Sequence, residues 1–340
     1  MTVTLKPIRE QVMVITGASS GIGLTTARMA ARRGARIVAV ARNDDALRQL
    51  IAELTSQGHD AIHVAGDVAS EDDMRHVAHA AIERFGRIDT WVNNAGVSIF
   101  GRTEDVTLDD QRRLFDTNFW GVVNGSLAAL PYLRGRGGAL INLGSEVSEV
   151  AIPLQGIYSA SKHAVKGYTD ALRIELEAER VPVSVTLIRP AAIDTMFVVH
   201  AKNYMDVRPK LPPPVYAPEV VADAILFAAE HPRRDIYVGA ASRLMKAGAH
   251  HTPRLLDRYL ARFGIPQQRS SVPADGNQEG SLHAPGQDLQ EREGAPGHVM
   301  ESSLYTRSSL HGRAMSTAVM ALGLFTAALW YGRRVAQRSW

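Results

Sequence analysis

Thr16-Gly17-Ala18-Ser19-Ser20-Gly21-Ile22-Gly23 follows directly on an apolar, β-branched run over residues 12–16 and opens into a stretch of helical spacing over 22–33. Strand, glycine turn and helix in that order make an anion cradle. Glycine takes up positive φ and lets a backbone approach a pyrophosphate closely, while the free N–H groups at a helix start attract its charge. A glycine turn alone is weak evidence, and its meaning depends on what surrounds it.

Outward from the turn, apolar runs recur at 36–40, 61–65, 88–92, 139–143, 183–188 and 236–238, with stretches of helical spacing between them. Continuous runs of this kind predict strands covered on both faces. The alternation predicts an α/β fold with a doubly wound parallel sheet of about seven strands and right-handed crossovers, whose ligands bind beyond the strands' carboxyl ends. The 340 residues are 45% hydrophobic and 21% charged, enough apolar content for a core, and the absence of cysteine excludes disulfides, thiolate metal sites and cysteine nucleophiles. A net charge of +3 over this length is too dilute for a nucleic-acid footprint, so no nucleic-acid partner is expected. His76 with His79, and His250 with His251, have no carboxylate arrangement to complete a metal site, and no metal is expected.

Residues after the strands carry the chemistry. The second strand ends in Ala41-Arg42-Asn43, with no acid to accept from a ribose 2′-hydroxyl; a guanidinium there suits a 2′-phosphate and favours NADP, unless Arg42 is an ordinary solvated arginine. Tyr158 and Lys162 stand four apart at the head of a helical stretch over 164–178 and share a face. An ammonium beside a phenol favours the phenolate and is expected to lower its pKa, although a packed aromatic with a lysine running past it gives the same spacing.

The glycine turn, Asn93-Asn94-Ala95-Gly96, Asn118, Ser145, and Tyr158 with Lys162 together resemble the short-chain dehydrogenase/reductase family, in its compact one-domain branch, over residues 11–243. The resemblance implies a single Rossmann-type domain and an NADP-dependent oxidoreductase acting on CH–OH groups. It implies Tyr158 as general acid/base, Ser145 as hydrogen-bond donor to the substrate oxygen, Lys162 on the nicotinamide ribose, and Asn118 in a water-linked relay to Lys162. Cofactor binding is implied for Gly17, Ser19, Ser20, Gly21, Ile22 and Gly23 of the turn and for Arg42 at the 2′-phosphate. It is implied also for Asp67 and Val68 beside the adenine, for Asn94, Ala95 and Gly96 in the cleft, and for Tyr158, Lys162, Pro190 and Thr195 around the nicotinamide. Pro190-Ala191 departs from the family's usual Pro-Gly and puts the local path to Thr195 in question. The family also suggests a homodimer or homotetramer. A nucleotide-binding sensor or scaffold at the membrane is the alternative, and the intact Ser145, Tyr158 and Lys162 argue against it.

A long connection over 196–218, with Met196, Phe197, Val198, Val199, Tyr204 and Met205, is expected to form a lid, and Ile152, Pro153, Leu154 and Gln155 to line the same pocket. Such walls suit a lipophilic alcohol or carbonyl compound. The sequence divides into a catalytic region (1–250), a basic amphipathic helix (251–266), a linker expected to be disordered (267–313) and an uncharged segment (314–332). The helix, with Thr252 and Pro253 at its start, would lie either on a membrane surface or on its own domain or a second subunit. Nineteen residues at about 1.5 Å each span roughly 28 Å, so 314–332 is a candidate membrane span, although its Ala, Ser and Thr content and Gly323 also suit a helix buried in an oligomer. MTVTLKPIRE lacks the apolar run of a secretory signal, so a cytoplasmic catalytic region anchored at its C-terminus is expected.

Overall fold

All seven runs become strands: β1 Val12–Thr16, β2 Arg36–Ala41, β3 Ala61–Ala65, β4 Thr90–Asn93, β5 Gly138–Leu143, β6 Val183–Pro190 and β7 Asp235–Val238. The computed structural model describes residues 3–274, 279–286, 288–294 and 297–311. The strands form one sheet in the order β7-β6-β5-β4-β1-β2-β3, with every neighbouring pair parallel. Crossovers leave β1 towards one edge and β4 towards the other, so the crevice beyond Thr16 and Asn93 is the switch point where ligands bind.

Side-chain alternation explains the two layers. Met13, Ile15, Ile37, Ala39 and Ile141 face a core shared with α1 Gly21–Arg32, α2 Asp44–Ser56 and α7 Pro218–Glu230. Val12, Val14, Val38, Val40 and Leu140 face the opposite core, shared with α3 Glu71–Phe85, α5 Gly121–Arg134 and α6 Gly156–Ala178. Each fully buried aliphatic side chain contributes roughly 1.5–3 kcal/mol, and a one-residue slip would exchange the two sets between cores. That fixes the register. The run expected at 88–92 pairs only from Thr90, because Ile88 is spent on packing and the Asp89 carboxylate accepts from Val12 N at 2.9 Å. Helix starts follow local chemistry: Asn43, Ser70 and Thr107 accept from the N–H groups of Ala46, Asp73 and Asp110, opening α2, α3 and α4 Leu108–Phe115.

Beyond β7 come α8 Ala240–His251 and α9 Pro253–Tyr259, the latter opening with Thr252 and Pro253 as expected. Among the described residues Leu255, Tyr259 and Phe263 stand 61%, 46% and 44% exposed, and Leu260 is buried.

The expectation of a disordered linker over 267–313 needs correction for its described residues. Arg269–Pro273 pairs antiparallel with Val207–Pro209, and Val299–Met300 pairs with Val215–Tyr216. Leu304–His311 forms α10, with Leu310 in the first core and the Thr306 hydroxyl accepting from Gly239 N at 3.0 Å. Composition counts only the apolar residues a segment carries, whereas this one finds partners for its backbone on the connection after β6. Among the described residues no helix is long and apolar enough to cross a membrane, and the candidate span at 314–332 lies outside them.

Candidate active site

The glycine turn is fixed from below and from the side. Gly17 has φ +66°, and a Cβ on Gly23 would lie 2.0 Å from the Gly17 carbonyl, so the helix can start this close to the turn only without a side chain there. Thr16 Oγ1 accepts from Asn94 N at 3.0 Å and Ala95 N at 3.1 Å, and Asn94 Nδ2 donates to the Thr16 carbonyl at 2.9 Å. These bonds lock the end of β1 to the end of β4. Beneath them Asn93 Nδ2 donates to Asn142 Oδ1 at 2.9 Å and Asn142 Nδ2 to Thr169 Oγ1 at 2.9 Å, a buried chain running from β4 through β5 to α6.

A cavity of about 180 Å³ opens above this frame. Its wall contains Gly17, Ser19, Ser20, Gly21, Ile22, Arg42, Asp67, Val68, Asn94, Ala95, Gly96 and Thr195. A second, of about 130 Å³, has Ser145, Tyr158, Lys162 and Pro190 in its wall, and Ile22, Asn94, Gly96, Thr195 and Phe197 belong to both. The expected cofactor residues therefore adjoin the expected catalytic ones. Gly23 supports the turn from beneath. Glycines and serine hydroxyls at a helix start, bounded by a guanidinium, are the chemistry that suits a dinucleotide phosphate.

Tyr158 and Lys162 share one face of α6, with Lys162 Nζ 5.8 Å from the centre of the phenol ring. The phenol is hydrogen-bonded to Ser145, whose hydroxyl also accepts from Val147 N at 3.3 Å at the start of the turn Glu146–Ser148. Lys162 donates to the Leu143 carbonyl at 2.9 Å, and burial pulls its ammonium down to about 8. The expected lowering of the tyrosine pKa is not found: burial pushes the phenol above its ordinary value, the Ser145 bond opposes this, and the Glu146 charge adds to it. The spacing in sequence places the two side chains together but does not measure how deeply both are buried.

Asn118 sits fully buried in a π-helical turn, Asp116–Trp120, between α4 and α5. Its amide donates to the Val97 carbonyl at 2.9 Å and to Ser161 Oγ at 3.2 Å, and its carbonyl accepts from Val97 N at 2.8 Å. The side chain thus shapes the path after Gly96, where an added Cβ would meet Asn118 Oδ1 at 3.3 Å and Lys162 Nζ at 3.7 Å. Ala191 is absent from the described non-glycine residues of positive φ, which are Leu154, Arg180 and Leu289, so the departure from Pro-Gly requires no left-handed backbone.

The lid expectation divides. Phe197 packs on Tyr158 with ring centres 5.4 Å apart, and Met196, Phe197, Ile152 and Gln155 line the cavities. Leu154 and Met205 instead pack with Phe100 and Ala201, Tyr204 donates to Asp110, and the Pro153 carbonyl accepts from Gln268. Two features escaped the sequence reading. Glu146, beside Ser145, keeps some surface on the second cavity but lies deep in the molecule, where burial raises its carboxyl to about 7. Its only signal was a carboxylate directly after Ser145. The other is the stretch beyond Glu279, which reaches Arg42 and the glycine turn: Arg42 donates to the Ser281, Leu282 and Ala284 carbonyls, the latter two at 3.2 and 3.3 Å.

Comparison with known proteins bears on this geometry. The short chain dehydrogenase family model matches residues 11–205. An uncharacterized oxidoreductase, YxnA, of Bacillus subtilis (strain 168) is 46% identical over 323 residues, 94% of this chain and 90% of that protein, so the similarity continues past β7. The 11-beta-hydroxysteroid dehydrogenase A of Sesamum indicum is 37% identical over 57% of this chain and 56% of its own. Among solved structures, a Burkholderia phymatum short chain dehydrogenase/reductase in complex with NAD aligns with TM-score 0.65 and 26% identity, over 75% of this chain and 97% of that one. An alcohol dehydrogenase from the archaeon Thermococcus sibiricus, complexed with 5-hydroxy-NADP, aligns with TM-score 0.59 and 28% identity, over 67% and 95%.

Proposed function

This chain belongs to the short-chain dehydrogenase family, and on that premise we propose that it is an NADP-dependent oxidoreductase that interconverts a lipophilic alcohol and its ketone or aldehyde. NAD(P)-dependent oxidoreduction at alcohol and carbonyl groups is what the membership carries; the choice of NADP and the lipophilic substrate are our reading. One observation carries it: Ser145, Tyr158 and Lys162 line a cavity that shares Ile22, Asn94, Gly96 and Thr195 with the cavity of the glycine turn.

When bound, the dinucleotide supplies or accepts the hydride. Gly17 to Gly23 with Thr195 would hold its phosphates and nicotinamide end, and Ser19 and Arg42 the 2′-phosphate. Tyr158 gives its phenolic proton to the substrate oxygen in reduction and takes it back in oxidation, while Ser145 hydrogen-bonds the same oxygen. A phenol held above its ordinary value stays protonated at neutral pH, the form that carbonyl reduction uses. Lys162, cationic below about 8, holds positive charge at the floor of the site. Val147, Ile152, Ile193, Phe197, Leu211 and Pro212 give the second cavity an apolar wall, which supports a lipophilic substrate. The reading includes residues 314–332 as a membrane anchor for a cytoplasmic catalytic region, and a homodimer or homotetramer as the assembly.

The test is loss of reduced-nicotinamide absorbance when the full chain meets NADPH and a panel of lipophilic ketones and aldehydes. Tyr158→Phe should lower kcat by roughly 10²–10⁴-fold, the usual contribution of a positioned acid, with NADPH affinity little changed. Undiminished turnover in that variant would remove the assignment.

A further inference from the structure

The donors assigned above to the 2′-phosphate are already in use. Asp288 accepts from Ser19 Oγ at 2.9 Å through one carboxylate oxygen and from Asn43 Nδ2 at 2.8 Å through the other. Arg42 donates to the carbonyls of Ser281, Leu282 and Ala284, and the Asp288 charge acts on it too. Nearby, Gly21 N donates to the Gln290 carbonyl at 2.9 Å, Leu289 N donates to the Ser19 carbonyl at 2.8 Å, and Arg28 pairs with Glu291 at 2.8 Å. An anion thus rests on a serine hydroxyl and an asparagine amide beside a guanidinium, and carbonyl oxygens satisfy the guanidinium.

We propose that Asp288 is an internal occupant of the 2′-phosphate subsite, so that this C-terminal stretch and the 2′-phosphate of NADP exclude one another. The inference rests on the NADP reading of Arg42. Two like charges do not share one set of donors: Asp288 holds the Ser19 hydroxyl, and carbonyls of the same stretch hold the Arg42 guanidinium. Ser281, Pro285, Gly286 and Asp288 line the same cavity as Gly17, Gly21 and Thr195, so the stretch borders the groove assigned to the dinucleotide. The stretch is held from its other end: Leu282 is fully buried, its carbonyl accepts from Arg113 Nε at 3.2 Å, and His283 Nε2 lies 2.6 Å from the Asp110 carboxylate. Arg113 also pairs with Asp67 at 2.5 Å, and the Asp67 charge acts on Arg42 as well. NADP enters by displacing Asp288 from Ser19 and the carbonyls of its neighbours from Arg42; a dinucleotide without the 2′-phosphate needs only the Gln290 carbonyl to release Gly21 N and leaves Asp288 on Ser19 and Asn43.

The experiment titrates the full chain with NADPH and NADH by nicotinamide fluorescence, and with adenosine 2′,5′-bisphosphate and 5′-AMP by calorimetry. Asp288→Asn and Asp288→Ala should each tighten NADPH and the bisphosphate by about tenfold or more, equivalent to about 1.4 kcal/mol, and leave NADH and 5′-AMP within about threefold. In the wild type, saturating bisphosphate should speed hydrogen exchange at the Leu289 amide, and 5′-AMP should not. Unchanged or weakened NADPH binding in both variants, equal gains for both dinucleotides, or a Leu289 amide still protected under bisphosphate would each overturn the occupancy. Arg42→Ala separates the two readings. If it weakens NADPH while the Asp288 variants do nothing, only the occupancy fails; if it leaves NADPH and NADH alike unaffected, the NADP reading itself fails.

Discussion

Glu146→Gln tests the electrostatics of the site without touching the donors of the proposed reaction. Burial moves this carboxyl from an ordinary 4.5 to about 7, so between those values the folded chain holds a proton that the unfolded chain has released. The native state then binds more protons than the unfolded one, and the contribution of Glu146 to stability falls as pH rises through that window. At 1.36 kcal/mol per pH unit the whole displacement is worth at most about 3 kcal/mol, less whatever solvation the cavity face of the residue provides. Glutamine keeps the shape and carries no charge. The difference in unfolding free energy between wild type and variant, measured by urea titration, should be near zero at pH 4.5 and grow in favour of the variant up to pH 8. In turnover, removal of a charge that pushes Tyr158 upward should shift the tyrosine limb of the kcat/KM profile to lower pH. A stability difference that does not change with pH would refute the buried-carboxylate account, and an unmoved limb would refute its coupling to the phenol.

Two further outcomes follow from the same structure. Arg42→Ala should weaken NADPH by roughly 10–150-fold, the range of a lost charge-assisted hydrogen bond, and NADH by less than about threefold in equilibrium binding. Deleting residues 314–340 should move the full-length protein from the membrane pellet to the supernatant with NADPH turnover retained; a full-length chain already in the supernatant would dispose of the anchor.

Much of this molecule is written locally. The seven strands are legible because a strand covered on both faces must be apolar throughout, as Val12, Met13, Val14 and Ile15 are, and the glycine turn is legible because strand, turn and helix are contiguous. Tyr158 and Lys162 could be paired from a four-residue interval. What sequence reasoning missed depends on depth or on distant partners. The direction of the Tyr158 shift depends on burial, and the role of Asn118 on a π-helical turn that brings its amide to Val97. Asp288 lies in a stretch whose composition suggests no structure, and its two partners, Ser19 and Asn43, belong to the first two βα units.

Vectorial synthesis gives the position of that stretch one more consequence. Every strand of the sheet has left the ribosome's catalytic centre once Val238 is joined, whereas Ser281 and Asp288 come more than forty residues later. At about 5–20 residues per second the fifty residues to Asp288 take roughly 2.5–10 s. Through that interval Ser19 and Arg42 have no tethered rival, so a nucleotide in the surrounding medium meets these donors before the chain's own carboxylate has been made.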